Sequence, residues 1–533
     1  MFRKEKESEK EKYEVTVIDT DIPTCGLMLD KVVLKSSAYL SIPTNVVNRI
    51  KLETLLKERC SAKKLNYFSG SLDYIPYYEK VKIRNEWVYK TPLFFWYMEG
   101  IEAKKVIDLR KKPQSMPEQF KIKSDFGLRD HQLQVHPLAM KQMTNFPNYS
   151  TTICKQCGAG KTIQAANIIG TLRVRTVVAV PYVHLAEQFK EEIQVVMDIP
   201  GHEIQLIGGD FPPPMPGKWI YICVFNSAMT TDKYTTKYAD IISKCDLLVV
   251  DECHKFPAKC VKSVTKHFHG KYRLGLTATP KSTNELSHMI FMLLGPQCVY
   301  VKREKPPLGM WKFTALEYYN HKHRGDIIVK RRFKKGMERD RIAMMRRVCE
   351  DKVRTKAIAE FIVKHIEKNV LVLGDWKNIL RDLVEEIEKL KPGSTYLFVG
   401  QASKSKKAKL EKKEALENRP CIIATTSKAG TGLNLPRLDY VVFVTSRIPG
   451  VMLEQGSGRA LRKKRPKHMY YVKDVGTPYY EHRARDCVKW FKEEGYQIMP
   501  SKTIGPHEIP GSIKTYMKRK MEDDTNVVYK RIK

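Results

Sequence analysis

The sequence predicts an α/β protein built from two tandem parallel sheets flanked by helices, with a mixed, β-rich domain in front. Three observations carry this. Apolar runs of strand length alternate with helix-period segments between Thr151 and Thr279, and the alternation starts again at Val370. Several of these runs end in glycine-rich, acidic or Thr/Ser-rich stretches, the composition of ligand loops at the carboxyl ends of parallel strands. Before residue 118 the pattern differs. Val81, Ile83, Trp87 and Tyr89 alternate largely with Lys80, Lys82, Arg84 and Glu86, the period-two signature of a half-buried strand.

In chain order, a charged leader, residues 1–12, opens a domain expected over 1–118. Leu93-Phe94-Phe95-Trp96-Tyr97 adds an apolar run, and its aromatics read as core rather than as a stacking surface for bases. Lys111-Lys112-Pro113 reads as a linker. Leu128-Arg129-Asp130-His131-Gln132 follows. The Gln132 amide can pair with an adenine edge, accepting from its amino group and donating to a ring nitrogen.

Cys157-Gly158-Ala159-Gly160-Lys161-Thr162 lies between a strand run, 151–154, and a helical run, 163–169. A glycine-rich turn from strand to helix gathers backbone N–H groups into one concavity at a positive helix end, which suits phosphate. Lys161 is placed to reach β- and γ-phosphates, and the Thr162 hydroxyl to ligate Mg²⁺. The full phosphate-loop pattern has glycine where Lys155 stands. Cys154 and Cys157 form a C-x-x-C with no second pair at zinc spacing, a coincidence of the loop.

Thr176–Val180, Ile220–Val224, Leu247–Val250 and residues 273–276 are the next buried-strand runs, with a helix expected over 184–195. The third run ends at Asp251-Glu252-Cys253-His254. There Asp251 would hold Mg²⁺, mostly through water, and Glu252 would polarise an attacking water. The fourth ends at Thr277-Ala278-Thr279-Pro280. Residues 302–347 are dense in Lys and Arg, and 306–335 is expected to be a basic connection leading into a second lobe over 336–500, whose first helical pattern runs to about residue 367.

In the second lobe the strand runs are 370–373, 396–399, 421–424 and Tyr440–Phe443, with helices over 376–390 and 403–418. The third of these runs ends at Thr425-Thr426 and leads to Gly430-Thr431-Gly432-Leu433-Asn434. Further on, Gln455, Arg459 and Arg462 stand in one helix-forming stretch. Arg459 and Arg462 are three residues apart on one helix face, a spacing at which two guanidinium groups clamp a phosphate. Residues 501–533 read as a basic tail.

Composition narrows the class of partner. The 533 residues carry 95 Lys+Arg against 59 Asp+Glu, a formal charge of +36 that calls for a polyanion, most simply nucleic acid. A hydrophobic fraction of 42% excludes a disordered chain. The 12 cysteines are irregularly spread, the leader is not secretory, and no run reaches transmembrane length. The expectation is an intracellular, non-secreted protein, cytoplasmic or nuclear, with no membrane partner.

In order and spacing, these motifs resemble those of superfamily 2 helicases over residues 120–490. Gln132 resembles the Q motif and the 158–162 loop motif I. Pro181, Leu185 and Gln188 are similar to motif Ia, and Asp251 to His254 match the DExH form of motif II. Thr277 to Thr279 resemble motif III, Gly430 to Asn434 motif V, and Gln455 to Arg462 motif VI. The Leu-Arg-x-His-Gln opening and the Gly-Thr-Gly-Leu-Asn-Leu-Pro stretch are most similar to the group of the poxviral transcript-release helicase, the phage UvsW helicase and the Ssl2/XPB translocases. Lys155, His131 and Asn434 depart from that family's commoner Gly, Tyr and Asp.

The resemblance implies two tandem RecA-like P-loop lobes, the first over 119–305, working on ATP with Mg²⁺. Cys157, Gly158, Ala159, Gly160, Lys161, Thr162, Gln132 and Gly432 would bind the nucleotide. Lys161, Asp251, Glu252, Gln455, Arg459 and Arg462 would carry hydrolysis, and Thr162 and Asp251 the metal. His254, Thr277 and Thr279 would couple hydrolysis to a nucleic-acid strand held by Pro181, Asn226, Ser227, Thr425 and Thr426. It further implies 3′ to 5′ movement on DNA in a transcription or recombination complex, at a viral replication site or in a virion. The alternatives are an RNA helicase and a non-catalytic nucleic-acid-binding protein.

Overall fold

The computed structural model describes residues 13–18, 25–65, 72–156, 159–208, 211–224, 238–253, 265–278, 287–303, 309–330, 337–399, 411, 414–426, 435, 437–445 and 467–511. The chain divides into two compact units, 1–304 and 305–533.

The first unit is built on an eight-stranded sheet. Its order is Tyr13–Ile18, Cys298–Arg303, Ser150–Lys155, Tyr272–Thr277, Leu247–Val250, Thr176–Val180, Ile220–Val224, Ile204–Ile207. All neighbours are parallel except the first pair. Every residue of Ser150–Lys155, Thr176–Val180, Ile220–Val224 and Leu247–Val250 is buried. Both faces of the sheet are covered, so these strands read as continuous apolar runs rather than alternating ones. Helices Asp130–Thr144, Lys161–Leu172 and Val183–Val196 cover one side through Val135, Ala139, Ile168, Ile169, Phe189 and Ile193.

A second, five-stranded sheet belongs to the same unit, ordered Glu79–Ile83, Glu86–Thr91, Ala38–Ser41, Leu27–Leu34, Ile101–Asp108. Its core residues Leu29, Val32, Leu40 and Tyr89 pack with Leu52 and Leu56 of the helix Val46–Arg59 and with Met289 and Met292 of Ser287–Leu294. The Phe94 N–H donates to the Met292 carbonyl at 3.0 Å, and the fully buried Arg273 guanidinium donates to the Ser36 carbonyl at 3.3 Å.

The second unit is built on a wholly parallel sheet ordered Thr395–Phe398, Cys421–Thr425, Val370–Gly374, Tyr440–Phe443, Lys467–Val475, Trp311–Tyr319, Gln497–Ile498, with Lys502–Ile504 also pairing Trp311–Tyr319. Helices Lys352–Val363 and Lys377–Leu390 bury Ile358, Ile362, Leu380 and Leu383 on one face. Helix Pro478–Glu493 buries Ala484, Cys487 and Phe491 on the other.

Four expectations are corrected. The strand Tyr13–Ile18 does not join the N-terminal sheet; it closes the edge of the large one, antiparallel to Cys298–Arg303. The apolar run Leu93 to Tyr97 is a turn leading into the short helix Phe95–Met98, and its Leu93, Phe94, Phe95 and Trp96 are buried in the N-terminal core with Met292. The presumed connection 306–335 contains Trp311–Tyr319, a strand inside the second sheet. Its charges disguise it, but Trp311, Phe313, Leu316 and Tyr318 are buried, and the half-exposed Glu317 is paired with Lys473 at 2.8 Å. The presumed tail begins with the strand Lys502–Ile504, and Ile504 and Ile509 are buried. The single helical pattern before residue 367 is two helices, Arg341–Cys349 and Lys352–Val363. Asp351 caps the second, accepting from the Val353 and Arg354 N–H groups.

A buried polar knot holds the carboxyl ends of the second sheet together. Arg354, 0% exposed, donates to both Asp474 carboxylate oxygens at 2.6 and 3.0 Å and to the Val444 carbonyl at 2.9 Å. Asp351 accepts from the Tyr318 hydroxyl at 2.7 Å and the Asn320 amide at 2.8 Å. Removing one partner of a buried ion pair strands the other charge. Asp474→Ala should therefore lower the unfolding free energy of this unit by about 3–5 kcal/mol, read as an earlier transition in urea; an unchanged midpoint would show that the knot contributes nothing.

Candidate functional site

The site is assembled at the carboxyl edge of the first sheet. Tyr272–Thr277 lies between Ser150–Lys155, which feeds the glycine-rich loop, and Leu247–Val250, which ends at Asp251. Loop and acid thus stand two strand spacings apart, about 10 Å. Thr277 pairs with Cys154 in register, and the Cys154 thiol donates to the Ala278 carbonyl at 3.5 Å. The Thr277-Ala278 turn therefore touches the root of the loop.

The loop is shaped by backbone conformation and by one packed amide. Gly160 is the N-cap of Lys161–Leu172 with φ +71°, a left-handed conformation that suits glycine. A Cβ at this position would lie 2.6 Å from the Gln132 amide nitrogen. That amide donates to the Gly160 carbonyl at 3.1 Å, while its oxygen accepts from the Arg129 N–H at 3.0 Å. The His131 ring nitrogen lies 3.1 Å from the Ala159 carbonyl. Gln132, 2% exposed, is thus a clamp on the loop.

Lys161 is 8% exposed, and its ammonium donates to the Lys155 carbonyl at 3.2 Å and stands 3.7 Å from the Glu252 carboxylate. Thr162 follows in the first helical turn, half-buried. The Asp251 carboxylate accepts from the Glu252 N–H at 2.9 Å. Glu252 has φ +50°. For a residue with a Cβ this costs roughly 1–3 kcal/mol, and such strain concentrates at functional sites. The combination of an ammonium, a hydroxyl, a carboxylate and a glycine cradle fits a Mg²⁺-bound triphosphate.

Pro181 is buried at the end of Thr176–Val180, on the same sheet edge. In the second unit Thr425 and Thr426 are at the corresponding edge, both buried, and the Thr426 hydroxyl donates to the Gly374 carbonyl at 3.2 Å. Cys157, Gly158, Asn226, Ser227, His254, Thr279, Gly432, Gln455, Arg459 and Arg462 lie outside the described residues.

Two features escaped sequence reasoning. Asp375 follows the strand Val370–Gly374, and its N–H donates to the Thr445 hydroxyl at 3.2 Å. The rule that found Asp251, an apolar strand ending in an acid, would have found it. The other is Lys155, noted only as a departure from glycine. It is fully buried beneath the loop, and its ammonium donates to Gln164 at 2.8 Å. Burial, and then the charge of Lys161, lowers its pKa to about 7.

With this geometry in view, two family models match the chain. The res subunit of type III restriction enzymes matches residues 125–282, and the helicase conserved C-terminal domain matches residues 353–464. These two matches make the chain similar to the superfamily 2 helicases. The DNA 3′-5′ translocase XPB2 of Sulfurisphaera tokodaii is 30% identical over 201 residues, 37% of this chain and 41% of that one. Transcript termination protein A18 of Yaba monkey tumor virus is 24% identical, over 58% of this chain and 64% of that one. The protein of the same name from Yaba-like disease virus is 22% identical, over 77% of this chain and 85% of that one. The chain thus spans less than two thirds of the length of the first two relatives. The solved helicase domain of Hef from Pyrococcus furiosus is 14% identical, covering 69% of this chain and 98% of its own at a TM-score of 0.43, a loose superposition. Among the described residues no helix is long and apolar enough to cross a membrane.

Lys155 gives the protein a pH signature. Its folded pKa, about 7, lies below the ordinary 10.5, so between those values the folded state binds fewer protons than the unfolded one. Stability should therefore rise with pH above about 7, by up to ~1.4 kcal/mol per pH unit from this group. Lys155→Met should flatten that rise in urea unfolding between pH 7 and 9.5; parallel curves for the two proteins would show that Lys155 is not held neutral.

Proposed function

We propose that the chain is a nucleic-acid-stimulated ATPase that moves along DNA. The observation that carries the reading is the convergence of Gly160, Lys161 and Thr162 with Asp251 and Glu252 at one sheet edge, where the single strand Tyr272–Thr277 separates the two strands that lead to them. ATP is the substrate, and Thr162 and Asp251 would hold Mg²⁺, which when bound offsets phosphate charge. Lys161 binds the β- and γ-phosphates, exchanging its Glu252 neighbour for them. Glu252, released, orients the attacking water and takes its proton. Gln455, Arg459 and Arg462 would complete the charge stabilisation, and Gly432 would add a nucleotide contact, as the motif resemblance implies. His254, Thr277 and Thr279 transmit the change in phosphate state to a strand held by Pro181, Asn226, Ser227, Thr425 and Thr426.

DNA as the track is supported by the formal charge of +36 and by similarity to a translocase whose name specifies DNA. A charge-driven grip makes affinity fall steeply with salt and depend little on base sequence. Movement from 3′ to 5′, and a role in releasing transcripts, are supported by the names of the same relatives.

Lys161→Ala and Glu252→Gln should each lower ATP turnover by orders of magnitude with the fold retained, and Glu252→Gln should keep nucleotide affinity. Turnover at the parental rate in either variant would remove the phosphate-site reading. Arg459→Ala and Arg462→Ala should slow hydrolysis ~10³-fold each while sparing ATP binding; equal losses of affinity and turnover would assign them to ground-state binding instead. The track is tested by ATP turnover with duplex DNA, single-stranded DNA and RNA side by side, and stimulation by RNA alone would overturn the DNA assignment.

A further inference from the structure

The expected nucleotide and strand contacts of the second unit lie at the carboxyl ends of its strands. A cavity of about 450 Å³ opens at the opposite, amino ends. It is lined by Lys312 of Trp311–Tyr319, Tyr440 at the start of Tyr440–Phe443, Lys467 and His468 at the start of Lys467–Val475, and Lys368 just before Val370–Gly374. The strand Lys467–Val475 has nine residues and separates the two ends by roughly 25–30 Å. The volume falls within the range of small-molecule pockets, roughly 300–1,000 Å³.

Three lysines and two acids line the cavity, with one aromatic ring and one imidazole. Glu367 and Asp439 are its acids, and Asp439 accepts from both the Asn369 backbone N–H, at 3.1 Å, and its amide, at 3.3 Å. The ring nitrogen of His468 is 2.7 Å from the Thr314 hydroxyl, and the ring stacks on Tyr470 at 4.2 Å. Burial, and then the fields of Lys502, Lys312 and His365, drives its pKa down to about 4. The imidazole is therefore neutral, and the charge of the cavity is set by Lys312, Lys368 and Lys467 against Glu367 and Asp439. Tyr440 presents an aromatic face capped by the exposed Lys368, whose ammonium is 5.5 Å from the ring centroid. Lysines in surplus beside an aromatic platform match a ligand with a phosphate and a planar ring.

We propose that this cavity is a second ligand site, for a 5′-phosphorylated nucleotide whose base stacks on Tyr440 and whose phosphate is held by Lys312 and Lys368. Lys368 leaves the ring face and closes on the phosphate when the base arrives. Lys467, buried and donating to the Leu438 carbonyl, fixes the turn that carries Asp439 and Tyr440. The nucleotide is either free or the 5′ end of a nucleic-acid strand, and the site is independent of the phosphate loop of the first unit.

The test is calorimetric titration of the full chain, with ADP and Mg²⁺ saturating, using three probes: cytidine 5′-monophosphate, a short single strand bearing a 5′-phosphate, and the same strand with a 5′-hydroxyl. Lys368→Glu and Tyr440→Leu should each weaken monophosphate binding at least about tenfold while ATP turnover is unchanged. Binding of the monophosphate but of neither strand through these residues identifies a free-nucleotide pocket, and equal binding of the phosphorylated and hydroxyl strands through them overturns the proposal. Binding confined to the phosphorylated strand identifies a strand-end pocket. The proposal is overturned if no probe binds, if Lys368→Glu and Tyr440→Leu bind as the parent does, or if binding is lost only in Lys161→Ala, which would place the probe in the phosphate loop.

Discussion

The order of three neighbouring strands governs the first unit. Because Tyr272–Thr277 is hydrogen-bonded to Ser150–Lys155 on one side and Leu247–Val250 on the other, the loop around Lys161, the Thr277 turn and the Asp251-Glu252 pair meet at one sheet edge. Parallel pairing puts all three carboxyl ends on the same side, and the rigid ladder holds them there with no further device. The rest of the unit serves this edge. Helix Asp130–Thr144 lends Gln132 to the loop, and the N-terminal sheet packs beside the neighbouring helix Ser287–Leu294.

Three buried cations show different solutions to one energetic problem. A charge taken out of water is costly unless it is paired or neutralised. Arg354 is paired, with both Asp474 oxygens and a carbonyl. Arg273 has no carboxylate among its bonds; it donates to the Leu293 and Ser36 carbonyls and faces the Phe94 and Phe268 rings, and burial, ahead of repulsion from Arg110, lowers its pKa to about 9. Lys155 has a single amide acceptor and sits below a second ammonium, so it approaches neutrality near physiological pH. Arg273 spans the junction between the two sheets of the first unit, where a guanidinium with several donors can bond carbonyls from both.

The second unit uses the two ends of one sheet differently. Its carboxyl end is tied by short polar contacts, Thr426 to Gly374, Asp375 to Thr445 and Arg354 to Val444, which fix the roots of loops that lead into the glycine and arginine motifs. Its amino end is open, lysine-rich and aromatic. A parallel sheet makes this division natural, since connections that cross back over the helices leave both ends free to carry separate chemistry.

By itself the sequence determined the fold class, the buried strands and the phosphate, acid and Thr277 motifs. It could do so because a strand covered on both faces must be apolar throughout, and a loop that binds phosphate must carry glycine and lysine in a set order. Leu247–Val250 and Asp251 were legible on those grounds. Tertiary structure decided what depends on partners distant in the chain. Trp311–Tyr319 reads as a charged connector until Lys473, 156 residues away, pairs with Glu317. Tyr13–Ile18 reads as part of its own domain until it meets the edge left by Cys298–Arg303. Lys155 reads as a defect in a glycine pattern until burial against Gln164 and Lys161 shows it to be a cation held under the loop. In each case local pattern reports which face of an element is apolar, and only the fold decides what that face, or the charge upon it, will meet.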